Sequence, residues 1–131
     1  MMTKEIRHKV IIHATPPAVY GALMNEKKHA LFTGAPAKIG AKVGSAFRCY
    51  NSYINGVTLD LAPGKRIVQA WRSRDWPKGH YSIVVFKLSK KSGGRTQLDF
   101  TQTGVPASDY NDKNKGWRTH YWERLKKFVE G

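Results

Sequence analysis

Apolar and polar residues alternate along residues 5–13, with Ile6, His8, Val10 and Ile12 on one face, so the chain opens as a β-strand. The alternation stops at Thr15-Pro16, which reads as a helix start: the hydroxyl caps free N–H groups and proline at the first helical position loses no hydrogen bond. Val19, Ala22 and Leu23 form the apolar stripe of a short helix, and a second helical piece over residues 26–32 is broken by Gly34-Ala35-Pro36. Period two then returns. Residues 46–51 and 54–62 read as neighbouring strands that turn at Asn51-Ser52, and Gly56 inside the second marks a bulge or bend. Pro63-Gly64 turns the chain into a strand over residues 66–74, and Trp76-Pro77-Lys78-Gly79 forms a hairpin loop before a strand over residues 80–88. Gly93-Gly94 then turns the chain into a strand over residues 95–103. A polar loop over residues 108–114 precedes the longest helical pattern, residues 115–129. There Trp117, Tyr121, Leu125 and Phe128 gather on one face.

This order predicts an α+β fold: a curved antiparallel sheet wrapped around a long C-terminal helix, with short helices after the first strand. The helix can bury its aromatic stripe only against one face of the meander, and a curved sheet gripping a helix leaves a pocket between them. The inward phase predicted for the sheet is Phe47 and Cys49, then Val57, Leu59 and Leu61, then Val84, Phe86 and Leu88, then Leu98 and Phe100. Trp71 shares a phase with Ile67 and Gln69 and is placed inward. These inward residues read first as simple core and, alternatively, as the lining of a cavity, for which the candidates from the sheet are Phe47, Cys49, Leu59, Trp71, Phe86 and Phe100. The helix adds Trp117, Tyr121 and Leu125.

Composition narrows the class. With 131 residues, 40% of them hydrophobic, and no low-complexity segment, residues 1–131 are expected to form a single domain. One cysteine excludes a disulfide scaffold and a zinc ribbon and favours a cytoplasmic location. The first ten residues have no apolar leader core, and the longest apolar runs fall far short of the ~20 residues of a membrane span.

Lys and Arg number 23 against 9 Asp and Glu, leaving +14, but in scattered pairs rather than blocks. Such a surface steers encounter with acidic partners and gives nucleic acid only non-specific, salt-sensitive attraction, so no specific nucleic-acid partner is expected. The 5 histidines lack metal-ligand spacing, and there is no nucleophile elbow, Walker loop or dinucleotide fingerprint. Asp60, Asp75, Asp99, Asp109 and Asp112 are spread over separate elements. No catalytic residue, metal ligand or cofactor is expected.

Several segments, taken in order, carry a family resemblance. They are Ala14-Thr15-Pro16-Pro17-Ala18-Val19-Tyr20 at the first helix, Gly56-Val57-Thr58-Leu59-Asp60-Leu61, the run Pro63-Gly64-Lys65-Arg66-Ile67-Val68-Gln69-Ala70-Trp71-Arg72, and Gly116-Trp117 before Tyr121-Trp122-Glu123-Arg124-Leu125-Lys126. Over nearly its whole length the chain resembles the START-like, helix-grip (SRPBCC) superfamily, and within it the AHSA type, homologues of the activator of the ninety-kilodalton heat-shock chaperone's ATPase. Ala35-Pro36-Ala37-Lys38, Lys42-Val43-Gly44 and Trp76-Pro77-Lys78-Gly79-His80 look more like the co-chaperone's C-terminal domain. Asn25-Glu26 and Phe32 depart from the Asp-Pro and later Trp of many AHSA-type proteins, which implies a different pocket lip.

The resemblance implies a non-enzymatic binding module, a stress-response or chaperone-associated accessory protein without the co-chaperone's additional N-terminal activator domain. Its expected partner is a heat-shock chaperone or another acidic protein. Lys38, Trp76, Lys78 and His80 are the candidate contacts, with Trp76-Pro77 either presenting an exposed aromatic anchor or simply packing its hairpin loop. The alternative is a carrier or sensor of a small hydrophobic ligand held between sheet and C-terminal helix.

Overall fold

The computed structural model describes residues 1–131. Strand β1 (Thr3–Ile12) is followed by helices α1 (Pro16–Met24) and α2 (Glu26–Thr33), and then by strands β2 (Lys38–Ile39), β3 (Ala46–Cys49), β4 (Ile54–Ala62), β5 (Arg66–Ser73), β6 (Ser82–Lys91) and β7 (Arg95–Pro106). The strands form one antiparallel sheet in the order β1-β7-β6-β5-β4-β3-β2. After a 3₁₀ turn at Ala107–Asp109 comes the C-terminal helix, residues 110–130: α3 (Tyr110–Gly116), a π-helical segment (Trp117–Trp122) and α4 (Glu123–Glu130). This is the helix-grip arrangement. The helix starts five residues earlier than its apolar periodicity announces, because α3 is almost wholly polar and only Lys113 in it is buried.

Local chemistry accounts for the boundaries. Pro16 opens α1, but the Thr15 side chain makes no capping hydrogen bond, contrary to the sequence expectation. The cap falls instead to Asn25, whose side chain accepts from the Lys28 N–H at 3.0 Å and starts α2. Gly34, at φ 74°, ends α2 in the left-handed conformation that glycine adopts without penalty.

The concave face holds Ile67, Trp71, Val84, Phe86, Leu98 and Phe100, all buried, against Trp117, Tyr121, Trp122 and Leu125 from the helix. Two sequence expectations fail here. In β4 the buried phase is Ile54, Gly56 and Thr58, so Val57 (36% exposed) and Leu59 (44%) face outward rather than into the core. The register then slips between Thr58 and Asp60, a bulge that makes Leu59 the unpaired residue and restores Leu61 to the inward phase opposite Ile67. Gly56 is not that bulge. It is a point of close approach, where an added Cβ would stand 1.8 Å from the Ala70 carbonyl oxygen and 2.7 Å from the Phe47 ring.

The second failure concerns the helix stripe. The π segment places residues five apart on one side, so Trp117 and Trp122 stack at 5.4 Å with 20° between their planes, while Phe128 is left 37% exposed.

Candidate functional site

One side of a cleft beside the helix is set by a short turn that contributes Tyr50. Tyr50, Asn51 and Ser52 all have positive φ (52°, 54° and 70°), three consecutive non-glycine residues in the left-handed region. The turn is held from outside. The Asn51 N–H donates to the Pro36 carbonyl at 3.1 Å, and the Tyr50 hydroxyl donates to the His120 carbonyl in the π segment. The Tyr50 ring lies edge-on to His120 and Tyr121, at 5.8 and 5.7 Å. Backbone strain of this kind and π turns both concentrate at functional sites.

Between the turn and the helix lies a cleft of about 600 Å³. Its aromatic walls are Tyr50, Tyr53, Trp71, Trp117 and Tyr121, and its polar rim includes Lys113, Lys115 and His120. The floor is rigid. Trp71 packs against Trp76 and Trp117, each at 5.5 Å, and Trp117 lies 4.3 Å from Phe100. The Trp117 indole N–H donates to Gln102 Oε1 at 2.7 Å; the Gln102 amide donates to Ser82 Oγ at 2.9 Å; and that hydroxyl donates to the Trp71 carbonyl at 2.8 Å. The Trp117 indole, the Gln102 amide and the Ser82 hydroxyl are thus each hydrogen-bonded, which fixes the indole orientation.

One end of the cleft is closed by charge. The Lys113 ammonium contacts Asp109 at 2.9 Å and Asp112 at 3.0 Å, donates to the Tyr53 hydroxyl at 3.3 Å and lies over the Tyr53 ring. Burial alone lowers the Lys113 pKa, but the bonds and charge of Asp109 and Asp112, with Tyr53, outweigh it and hold the amine above the ordinary lysine value. Asp109 also accepts the Trp76 indole N–H at 2.7 Å.

Behind the cleft runs a second buried chain. His29 Nδ1 faces the Leu23 carbonyl at 3.1 Å, an oxygen that only accepts, so the ring proton sits on Nδ1. Nε2 is left to accept from the Tyr121 hydroxyl at 3.2 Å, and Cys49 lines the same small void as these two residues. Burial pushes His29 down to about 4, the Cys49 thiol up to about 12 and the Tyr121 phenol well above its usual value. At neutral pH all three are uncharged. Such a thiol is a small hydrophobe rather than a nucleophile.

The predicted lining residues separate into three groups. Phe47, Cys49, Trp71, Phe86, Trp117 and Tyr121 do converge, but around an enclosed void of only about 20 Å³, room for one water molecule. Phe100 and Leu125 are buried, at 1% and 0% exposure, and line neither opening. Leu59 is on the opposite face of the sheet.

The predicted partner contacts do not come together as a surface. Trp76 is 5% exposed, packed and hydrogen-bonded rather than presented as an anchor, because its loop folds back onto the start of α3. His80 is half-buried, edge-on to Trp76 at 5.6 Å and donating to the Gly104 carbonyl at 2.7 Å. Lys38 and Lys78 are exposed, the first on the edge strand β2 and the second in the β5–β6 loop.

Sequence reasoning missed Tyr50, Tyr53, Lys113 and His120 in the cleft and Trp122 in the core. For Lys113 the available signal was the Asp109–Lys113 spacing of one helical turn, which would have extended the helix backwards through the polar segment.

No three His, Cys, Asp or Glu side chains gather into a metal-ligand set. No helix is long and apolar enough to cross a membrane. The Asp109 and Asp112 carboxylates beside the cleft are committed to Lys113.

The geometry is that of a helix-grip fold: a curved sheet closed on a C-terminal helix, with its interior packed and an open aromatic cleft at one end. The chain belongs to the family of activator of Hsp90 ATPase homolog 1-like proteins, whose model matches residues 13–130. It is 31% identical over 124 residues to the activator of 90 kDa heat shock protein ATPase homolog 1 of Homo sapiens, an alignment covering 95% of this chain and 36% of that protein. The Dictyostelium discoideum homolog is also 31% identical over 124 residues, covering 95% and 32%. The chain thus spans about a third of the length of these curated relatives.

The fold matches the crystal structure of an HSP90 activator from Plasmodium falciparum with a TM-score of 0.84 and 23% identity, over 99% of this chain and 97% of that one. It also matches the solution structure of the Aha1 dimer from Colwellia psychrerythraea, with a TM-score of 0.81 and 22% identity over 97% and 96%.

Proposed function

We propose that the chain is a non-enzymatic, chaperone-associated binding module, residues 1–131 acting as one AHSA-type unit on the ninety-kilodalton heat-shock chaperone of its host. The observation that carries this is the 31% identity to a heat-shock ATPase activator, spread over 95% of the chain rather than confined to a short motif. The buried His29, Tyr121 and Cys49 stay uncharged at neutral pH, which supports a binding role over a catalytic one. A net charge of +14 accelerates encounter with an acidic partner.

The test is surface plasmon resonance against the host chaperone at two salt concentrations, with duplex DNA as control, and the chaperone's ATPase rate measured in parallel. Binding tighter than to DNA, with an on-rate that falls as salt rises, is the expected result. Equal affinity for both, or none for the chaperone, would overturn the proposal.

A second reading, a carrier of a small ligand, is favoured by one observation only, the cleft of about 600 Å³ walled by Trp71, Trp117 and three tyrosines. A ligand would sit there and not in the enclosed void of about 20 Å³. Native mass spectrometry of freshly purified protein tests it: a retained small molecule supports the carrier, and the bare chain mass argues against it.

A further inference from the structure

The face of the sheet turned away from the C-terminal helix carries an aliphatic strip. The register sets Ala46, Val57, Ala70 and Ile83 side by side across β3, β4, β5 and β6, with Val68 and Val85 adjacent in the next outward row. Val57, Leu59 and Ile83 are 36%, 44% and 38% exposed. The bulge in β4 contributes directly. Its unpaired residue is Leu59, so an insertion that regular pairing would not require puts one more aliphatic side chain on the outer face.

Cations border the strip. On one side the row Arg48–Asn55–Arg72 ends the apolar stretch, and on the other Arg66 stands opposite Lys87. Arg66 is paired with Asp60 at 2.6 Å, and Arg72 is tied to the Trp76 carbonyl at 2.7 Å, but Arg48 and Lys87 enter no ion pair. Clustered exposed aliphatics inside a charged border are the anatomy of an interaction surface. A second copy would bring this same basic border against itself, on chains of +14 each, which like-charge repulsion opposes.

We propose that this outer face docks an acidic protein surface that presents aliphatic or aromatic side chains. The partner's apolar groups cover Val57, Leu59 and Ile83, and its carboxylates meet Arg48 and Lys87. The identity of the partner rests on the chaperone-associated reading above; the surface itself rests on the register and the exposures.

The experiment uses the full chain and the host's ninety-kilodalton chaperone as the probe. Leu59→Ser/Ile83→Ser should raise Kd about tenfold or more, chiefly through the off-rate, with the far-UV circular dichroism and melting curve of the parent. Arg48→Glu/Lys87→Glu should slow association and flatten its salt dependence. Should the double serine variant unfold, Leu59→Ser alone, at an unpaired bulge position, is read instead. Amide exchange in the wild-type complex should slow in β4, β5 and β6. Chaperone binding that all these variants leave unchanged refutes the surface and leaves the chaperone reading intact. No binding by the wild type overturns both. Wild-type protein that sediments as a dimer and becomes monomeric with Leu59→Ser/Ile83→Ser assigns the face to a second copy and overturns the proposal.

Discussion

Trp76 is the residue at which exposure and burial lead to opposite experiments. As an exposed anchor, its truncation would leave stability alone and speed the partner's dissociation. In the structure it is 5% exposed, packed against Trp71 at 5.5 Å and edge-on to His80 at 5.6 Å, and its indole N–H meets Asp109 at 2.7 Å. Trp76→Ala removes the ring and should cost about 3–5 kcal/mol, the range for large aromatic truncations. That is a large part of the ~5–15 kcal/mol that holds an ordinary domain together.

Trp76→Phe keeps most of the packing and loses the bond to a carboxylate. Asp109 retains Lys113 at 2.9 Å, so the loss should sit near the lower end for charged hydrogen bonds, about 1.5–2 kcal/mol. The measurement is urea denaturation followed by far-UV circular dichroism, with Asp109→Asn and the double variant completing a cycle. A coupling energy of about 1 kcal/mol is expected for partners in direct contact. A Trp76→Ala cost below about 0.5 kcal/mol, the size of a surface substitution, or a coupling indistinguishable from zero, would refute the buried placement.

Leu125→Ala should cost about 2–5 kcal/mol because Leu125 is fully buried; Phe128→Ala, at 37% exposure, should cost less than half as much in the same titration. Gly56→Ala should leave little folded protein at ambient temperature, since the added Cβ meets the Ala70 carbonyl oxygen at 1.8 Å; a melting temperature within a few degrees of the parent would contradict that geometry. The pH dependence follows from His29, which burial pushes from 6.5 down to about 4. As pH falls through 6.5 the unfolded chain takes up a proton that the folded chain refuses until about 4. Stability is therefore full above that window and declines across it, by on the order of 3 kcal/mol from this group. His29→Phe should flatten the denaturation midpoint against pH there, leaving a smaller slope from His8, which burial also lowers.

The sheet was legible because its strands alternate and its turns are written in Pro63-Gly64 and Gly93-Gly94. What escaped were departures from a fixed period. The bulge at Leu59 shifts the phase within one strand, so alternation carried backwards from Leu61 puts Val57 and Leu59 on the wrong face. The cleft was half legible. Trp71, Trp117 and Tyr121 follow from facing phases of sheet and helix, whereas Tyr50, Tyr53 and Lys113 meet only because a left-handed turn folds across to a helix whose first two turns are polar. Neither event leaves a local hydrophobic signature.

The π segment joins those two halves. In an α-helix, residues five apart diverge by about 140°, so Trp122 would leave the side that Trp117 occupies. The wider π turn keeps both indoles on the core, Trp122 against Phe100 at 5.2 Å and donating its N–H to His8 Nδ1 at 2.8 Å. The same segment supplies the His120 carbonyl that receives the Tyr50 hydroxyl and so holds the strained turn over the helix. One irregularity therefore both closes the core and fixes one wall of the cleft. A change that regularised the helix would be read first in the packing of Trp122 and then in the shape of the opening beside Tyr50.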